Sequence, residues 1–344
     1  MTDLICRIEH TTGRMTLNRP DALNALTHDM CLQMEDQLQQ WEDNDSVTQI
    51  LVDAAGDKAF CAGGDIQHLY DHGSAGDYAF GQTFWADEYR LNALIANYPK
   101  PYIVFMQGFV IGGGVGVSCH GSHRIVDESS KIALPECSIG LIPDVGSSYL
   151  LATAPGYLGE YLGLTGARMA AGDAIFAGFA DYFIPQEAWH DAKDVLIANG
   201  HPDVLKDFIT RPPEADMKAL SPQIDRMFSA PDMRALMHAL QTEKEDAFAA
   251  ASLKAISRAS PLAMSASLCV IRATRQSPDI ETALDWEYRV TSRSTKDGDF
   301  LEGIRAAIID KDRNPQWRHD SIDAIPEEEL AAFLAPVNES TTKG

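Results

Sequence analysis

The chain has 344 residues, 45% of them hydrophobic and 23% charged, which is the composition of a globular protein with a sizeable core: one large domain, or a domain with an appendage. A formal charge of −22 excludes non-specific binding to nucleic acid or to an anionic membrane, whose phosphates would repel it. It leaves open a phosphorylated small ligand met by a few local Lys or Arg.

Six cysteines without a repeating spacing read as buried thiols of a reducing compartment. The start MTDLICRIEH carries acids early and has no cationic region before an apolar run, so no targeting segment is expected and a cytoplasmic location is.

In chain order, TGRMTL predicts a strand ending at the turn NRP, and LTHDMCLQMEDQLQQWEDN predicts an amphipathic helix. QILVDAAG predicts a buried strand closed by glycine, a helix is expected over about 78–98, and PYIVFMQG predicts another strand. Strands separated by helices of this length imply parallel pairing through crossovers. Residues 101–122 lack Asp, Glu, Lys and Arg over a length able to span a bilayer, but six Gly, a Gln and a His mark them as buried core, not membrane. After about residue 159 helical patterns dominate. TRPPEAD reads as a connection, and SPDIETALDWEYRVTSRS as a helix with an N-cap start. The expected division is a core over 1–200, a helical region over 201–335 and a disordered tail over 336–344 ending NESTTKG.

Three stretches point to chemistry. AFCAGGDI and IGGGVG each follow a strand, and consecutive glycines there let a ligand approach backbone N–H groups. Two such groups on one carbonyl oxygen make an oxyanion hole, although tight turns alone explain each stretch equally well. The spacing G-x-G-x-x-G is missing, which argues against a dinucleotide loop. The third stretch, LPECSIGLIPDVGSS, holds two charges in fifteen residues, Glu136 and Asp144. Glu136 also fits an exposed turn, and Asp144, before VGSSYLLAT, also fits a helix N-cap. Donor turns together with a carboxylate in apolar surroundings form a minimum set for acyl chemistry. The pairs His68/His72 and His120/His123 share helix spacing but no zinc motif, and no metal is expected. Cys61 and Cys137 read as apolar packing.

The motifs TLNRPDALNALT, KAFCAGGDI, GGGVG, LPECSIGLIPDVG and YLGLTGARMAAGDAIFAG resemble the crotonase (enoyl-CoA hydratase/isomerase) superfamily. Within it, DEYRLN, SPLAMSASL, ALDWEYR and DFLEGIRAAIIDKDRNPQW are similar to the 3-hydroxyisobutyryl-CoA hydrolase branch. The resemblance implies an α/β fold, a crotonase-like spiral of β-β-α units with a helical C-terminal region. It implies an acyl-CoA thioester as substrate, with coenzyme A part of that substrate and no separate cofactor. Gly64 and Gly113 would supply the oxyanion N–H groups, Glu136 and Asp144 the catalytic carboxylates, and Glu88 a substrate contact. Taken alone, Glu88 reads as a solvated helix residue. The CoA would lie against residues 19–26, with Arg19 and Lys58 as candidate phosphate contacts. The superfamily commonly forms trimers or pairs of trimers, so a homo-oligomer is one expectation. A monomer or dimer is the other, if the helical C-terminus covers that surface.

Hydratases of the superfamily carry a Glu two residues after GGG, where this chain has Gly116. Loss of one member of an acid–base pair costs roughly 10²–10⁴ in rate, so hydration by two Glu is disfavoured and thioester hydrolysis favoured. An enoyl-CoA hydratase or isomerase of the same fold, or a non-catalytic CoA-binding protein, is the alternative.

Overall fold

The strand and helix periods in the sequence fold, in a computed structural model that describes residues 2–337, into two compact units. Each is assembled from non-contiguous stretches; among the described residues these are 2–65, 87–133 and 168–219 in one, and 66–86, 134–167 and 220–337 in the other. The tail expectation falls mostly on 338–344, outside the described residues.

The first unit carries all nine strands found among the described residues: β1 (Leu4–Glu9), β2 (Thr12–Leu17), β3 (Gln49–Ala54), β4 (Ala59–Cys61), β5 (Tyr102–Met106), β6 (Phe109–Ile111), β7 (His123–Val126), β8 (Lys131–Ala133) and β9 (Tyr182–Phe183). Six form a sheet in the order β1-β2-β3-β5-β7-β9, antiparallel only between β1 and β2. β3 and β5 are buried along nearly their whole length, as expected for parallel strands covered on both faces. The helix Trp189–Asn199 covers Leu51, Ile103, Phe105 and Ile125. Trp189 meets Phe105 edge-on at 5.1 Å and donates its indole N–H to the Ile184 carbonyl at 2.8 Å. Asp53, in β3, is buried but paired with Arg14 at 2.7 Å and Lys193 at 3.0 Å; burial opposes its ionisation, but these cations hold its carboxyl below the usual range.

The remaining strands form a small parallel sheet, β4-β6-β8. The glycine stretches stand at the C-terminal ends of β4 and β6, and the chain leaves β8 at Ala133, three residues before Glu136.

The second unit is helical. Its centre is the helix Pro261–Gln276, opened by Pro at its first position and capped by Ser260, which accepts from the Ala263 N–H at 3.0 Å. Leu262, Ala266 and Val270 pack with Ile142 and with Val290 of the helix Ile280–Asp297. That second helix starts at the expected SPD, Asp279 accepting from the Thr282 N–H at 2.8 Å. Glu160, without solvent exposure, is neutralised by Arg275 at 2.8 Å.

Candidate active site

The turn NRPDALNAL positions the first glycine stretch. Leu23 and Asn24 both adopt left-handed backbone, φ 51° and 55°, and the Asn24 side chain donates to the carbonyls of Ala55 and Ala59 at 2.9 and 3.0 Å. Leu26 donates its N–H to Gly63 at 2.9 Å and accepts from Asp65 at 2.7 Å, so residues 62–65 are held edge to edge against the turn. Arg19 is consumed in this scaffold, donating to the Ala25 carbonyl at 2.6 Å and to Asp65 at 3.1 Å. That weakens it as a free cation for a phosphate.

The second stretch begins the four-residue helix Gly113–Gly116, whose first N–H groups have no partner within the helix. Two glycines here are required by close approach. A Cβ on Gly114 would stand 2.4 Å from the Cys61 carbonyl oxygen, in the first stretch. A Cβ on Gly113 would stand 3.4 Å from the Gly64 nitrogen and 2.9 Å from Glu88 Oε1. Gly64, Gly113 and Glu88 are therefore gathered around one point. Glu88 is only 3% exposed, so the solvated helix residue expected from its neighbours in sequence is instead buried. The helix Tyr78–Ala96 turns Arg90 towards Glu35 and Asp87, at 2.8 Å each, leaving Glu88 on the inward side.

In the second unit, Glu136 opens a single turn of 3-10 helix, Glu136–Ile139, and is 5% exposed, not the surface turn its local sequence also allowed. Leu141 donates to its carbonyl at 3.1 Å, and Gly140 adopts φ 75° against Asp299, whose backbone would stand 2.5 Å from any Cβ there. Its Oε2 is buried with no hydrogen-bond partner among the described residues. Burial first, then the charges of Asp144 and Glu287, push the Glu136 carboxyl well above the usual range.

Asp144, also 5% exposed, does not cap a helix. The helix Ser147–Thr153 has Gly146 at its N-cap, and Val145 and Gly146 both take left-handed backbone, φ 58° and 78°. That double turn leaves Asp144 three residues before the helix, and the cap position falls to Gly146. A third acid, Glu287 in the DWEYR stretch of the helix Ile280–Asp297, was not singled out from the sequence. It is fully buried, accepts from the N–H groups of Gly146 and Ser148 at 2.7 and 2.8 Å, and burial pushes it up to about 8. Its partners lie 139 and 141 residues away, so no local pattern reveals them.

The thiols nearby are inert: burial pushes Cys61 and Cys137 each up to about 12, and Cys137 packs against Ser267 at 3.2 Å. His72 is engaged with Asp77 at 2.9 Å and stacks on Phe80. Among the described residues, no helix is long and apolar enough to cross a membrane.

The fold that places these glycine turns and buried acids is identified by comparison with known proteins. The family model of enoyl-CoA hydratase/isomerase matches residues 12–334, so the chain belongs to that family, with its α/β crotonase fold and helical C-terminal region. It is 35% identical to the mitochondrial 3-hydroxyisobutyryl-CoA hydrolase of Xenopus tropicalis, over 96% of this chain and 88% of that protein. To the human protein of the same name it is also 35% identical, with the same coverage. Among solved structures, an enoyl-CoA hydratase from Rhodobacter sphaeroides 2.4.1 superposes with TM-score 0.93 at 49% identity, covering 98% of each chain. A carnitinyl-CoA dehydratase from Mycobacterium thermoresistibile gives TM-score 0.93 at 39% identity, over 98% of this chain and 97% of that one.

Proposed function

We propose that the chain is an acyl-CoA thioester hydrolase that converts 3-hydroxyisobutyryl-CoA and water to 3-hydroxyisobutyrate and free CoA, a step of valine breakdown. The observation that carries this reading is the set of carboxylates. Glu136 is a buried acid with a raised affinity for a proton, while the position that supplies the second acid in hydratases is Gly116, which has no side chain.

In this reading the N–H groups of Gly64 and Gly113 bind the thioester oxygen and stabilise the charge that develops on it. Glu136 takes the proton of a water that attacks the carbonyl carbon, or attacks it directly to form an anhydride that water then opens. The C–S bond breaks, and the departing thiolate receives the proton from Glu136 or Asp144. Glu88, beside Gly113, contacts the acyl group. Burial and the neighbouring acids raise the proton affinity of the Glu136 carboxyl, which helps it to hold the proton it takes from water. The six cysteines are all free, which fits a reducing compartment such as the cytoplasm, where we infer the chain works.

The likeness to an enoyl-CoA hydratase and a carnitinyl-CoA dehydratase favours a second reading, hydration of an enoyl-CoA. One experiment separates them: free thiol release from 3-hydroxyisobutyryl-, 3-hydroxypropionyl-, acetyl- and crotonyl-CoA, with crotonyl absorbance followed in parallel. Rapid thiol release from the two 3-hydroxyacyl esters alone is the expected result. Loss of crotonyl absorbance without thiol release would overturn the hydrolase reading.

A further inference from the structure

The segment that carries Asp144 is held in an unfavourable conformation. Val145 is β-branched and has φ 58°, a backbone region such residues adopt only when their surroundings impose it. Gly146 follows at φ 78°, and the Ser147 N–H returns to the Asp144 carbonyl at 2.9 Å, closing the turn. The helix Ser147–Thr153 then begins with glycine at its cap, where no side chain is present to accept its first N–H groups. Those groups are met from another helix. Glu287 Oε2 accepts from the Gly146 N–H at 2.7 Å, and Oε1 accepts from the Ser148 N–H at 2.8 Å and from the Ser148 hydroxyl.

We infer that Glu287 is the positioning residue of the site: it clamps residues 146–148 from the helix Ile280–Asp297 and so fixes the direction in which Asp144 presents its carboxylate. The inference rests on the hydrolase reading, in which Asp144 serves the reaction. A local Ser, Asp or Asn cap would satisfy the helix end from within the turn itself. It would also leave Val145 free to relax, because the acceptor would move with the turn. Glu287 is anchored in a separate buried helix and grips two N–H groups two residues apart, one with each oxygen, so rotation of the turn breaks at least one bond. Its position also brings a third acid near two others: the charge of Asp144 raises the proton affinity of both Glu136 and Glu287. Gathering three acids in this way costs stability whenever their carboxyls ionise.

The test is a double-mutant cycle on the full chain, with thiol release from 3-hydroxyisobutyryl-CoA as readout. Glu287→Gln keeps the shape but aims an amide N–H₂ at one of the donors. In the folded variant kcat should fall about 10- to 100-fold, the order expected for a displacement near 1 Å, with KM nearly unchanged. Because Glu287 acts through Asp144, the double variant Asp144→Asn/Glu287→Gln should be no slower than Asp144→Asn alone. Additive losses, or a Glu287→Gln enzyme with wild-type kcat, would overturn the inference while leaving the hydrolase reading intact. Wild-type turnover in Asp144→Asn would instead sink the use of Asp144 in that reading, and the inference with it. If Glu287→Gln does not fold, Ser148→Ala removes only the hydroxyl donor. A several-fold loss in kcat at constant KM supports the clamp, and unchanged kinetics overturn it.

Discussion

Glu136 holds its carboxyl in a setting that resists ionisation twice over, through burial and through the neighbouring acids. For a base this is an advantage only if the pH is high enough to remove its proton. The rate of thiol release should therefore rise with pH through an inflection above the ordinary carboxylate range, with the deprotonated form active on the high side. Glu136→Gln should lower turnover by at least about 10²-fold, remove that inflection and leave binding of the CoA ester largely unchanged. A pH–rate profile with its inflection near 4.5, or a glutamine variant with near-normal turnover, would show that another group is the base. Cys61 and Cys137 offer no substitute, since burial pushes both thiols up to about 12.

At the scale of elements, the proposed donor pair depends on two short strands, β4 and β6, that pair in parallel. Neighbouring glycines there have different jobs, and alanine should separate them. At Gly114 the new methyl meets the Cys61 backbone carbonyl at 2.4 Å, which cannot give way, so Gly114→Ala should destabilise the fold by about 1–3 kcal/mol, seen as a lower Tm. At Gly113 the nearest atom is the end of the Glu88 side chain, at 2.9 Å, which can rotate. Gly113→Ala should fold nearly as stably and lose turnover instead. Equal Tm losses in the two variants would show that Glu88 is as immobile as backbone. These strands also mark where sequence reasoning stops. β3 and β5 are legible as apolar runs, β2 as a stretch ending at the turn NRP, and the helix His28–Glu42 by its amphipathic period. β4, β6 and β8 have three residues each, too few for any period, and exist through their pairing with one another. Glu136, Asp144 and the glycines stood out as chemistry-bearing residues in an apolar context. Glu287 did not, because a Glu among DWEYR looks like any helix acid until tertiary packing removes its water. The same cause groups residues 134–167 with the chain beyond 220, a partition no local pattern encodes.

Across the whole molecule, buried acids give stability a direction with pH. Glu287 is raised from 4.5 to about 8, so the folded chain keeps a proton that the unfolded chain has released. Its contribution is full below about pH 4.5 and is lost as pH rises towards 8, with a slope of up to about 1.4 kcal/mol per pH unit. Glu136 acts in the same sense. Asp53, lowered by Lys193 and Arg14 against its burial, acts oppositely, but only as pH falls below 3.8. The net charge of −22 adds self-repulsion that also grows with pH. Tm should therefore be higher at pH 5.5 than at pH 8. Salt distinguishes the two causes, because it screens repulsion between surface charges and hardly touches a fully buried carboxyl. In high salt the part of the difference due to net charge should shrink, and the remainder should shrink again in Glu287→Gln, whose amide does not titrate. A Tm difference abolished by salt alone would mean that the buried acids ionise without cost to the fold, and their raised proton affinity would be refuted.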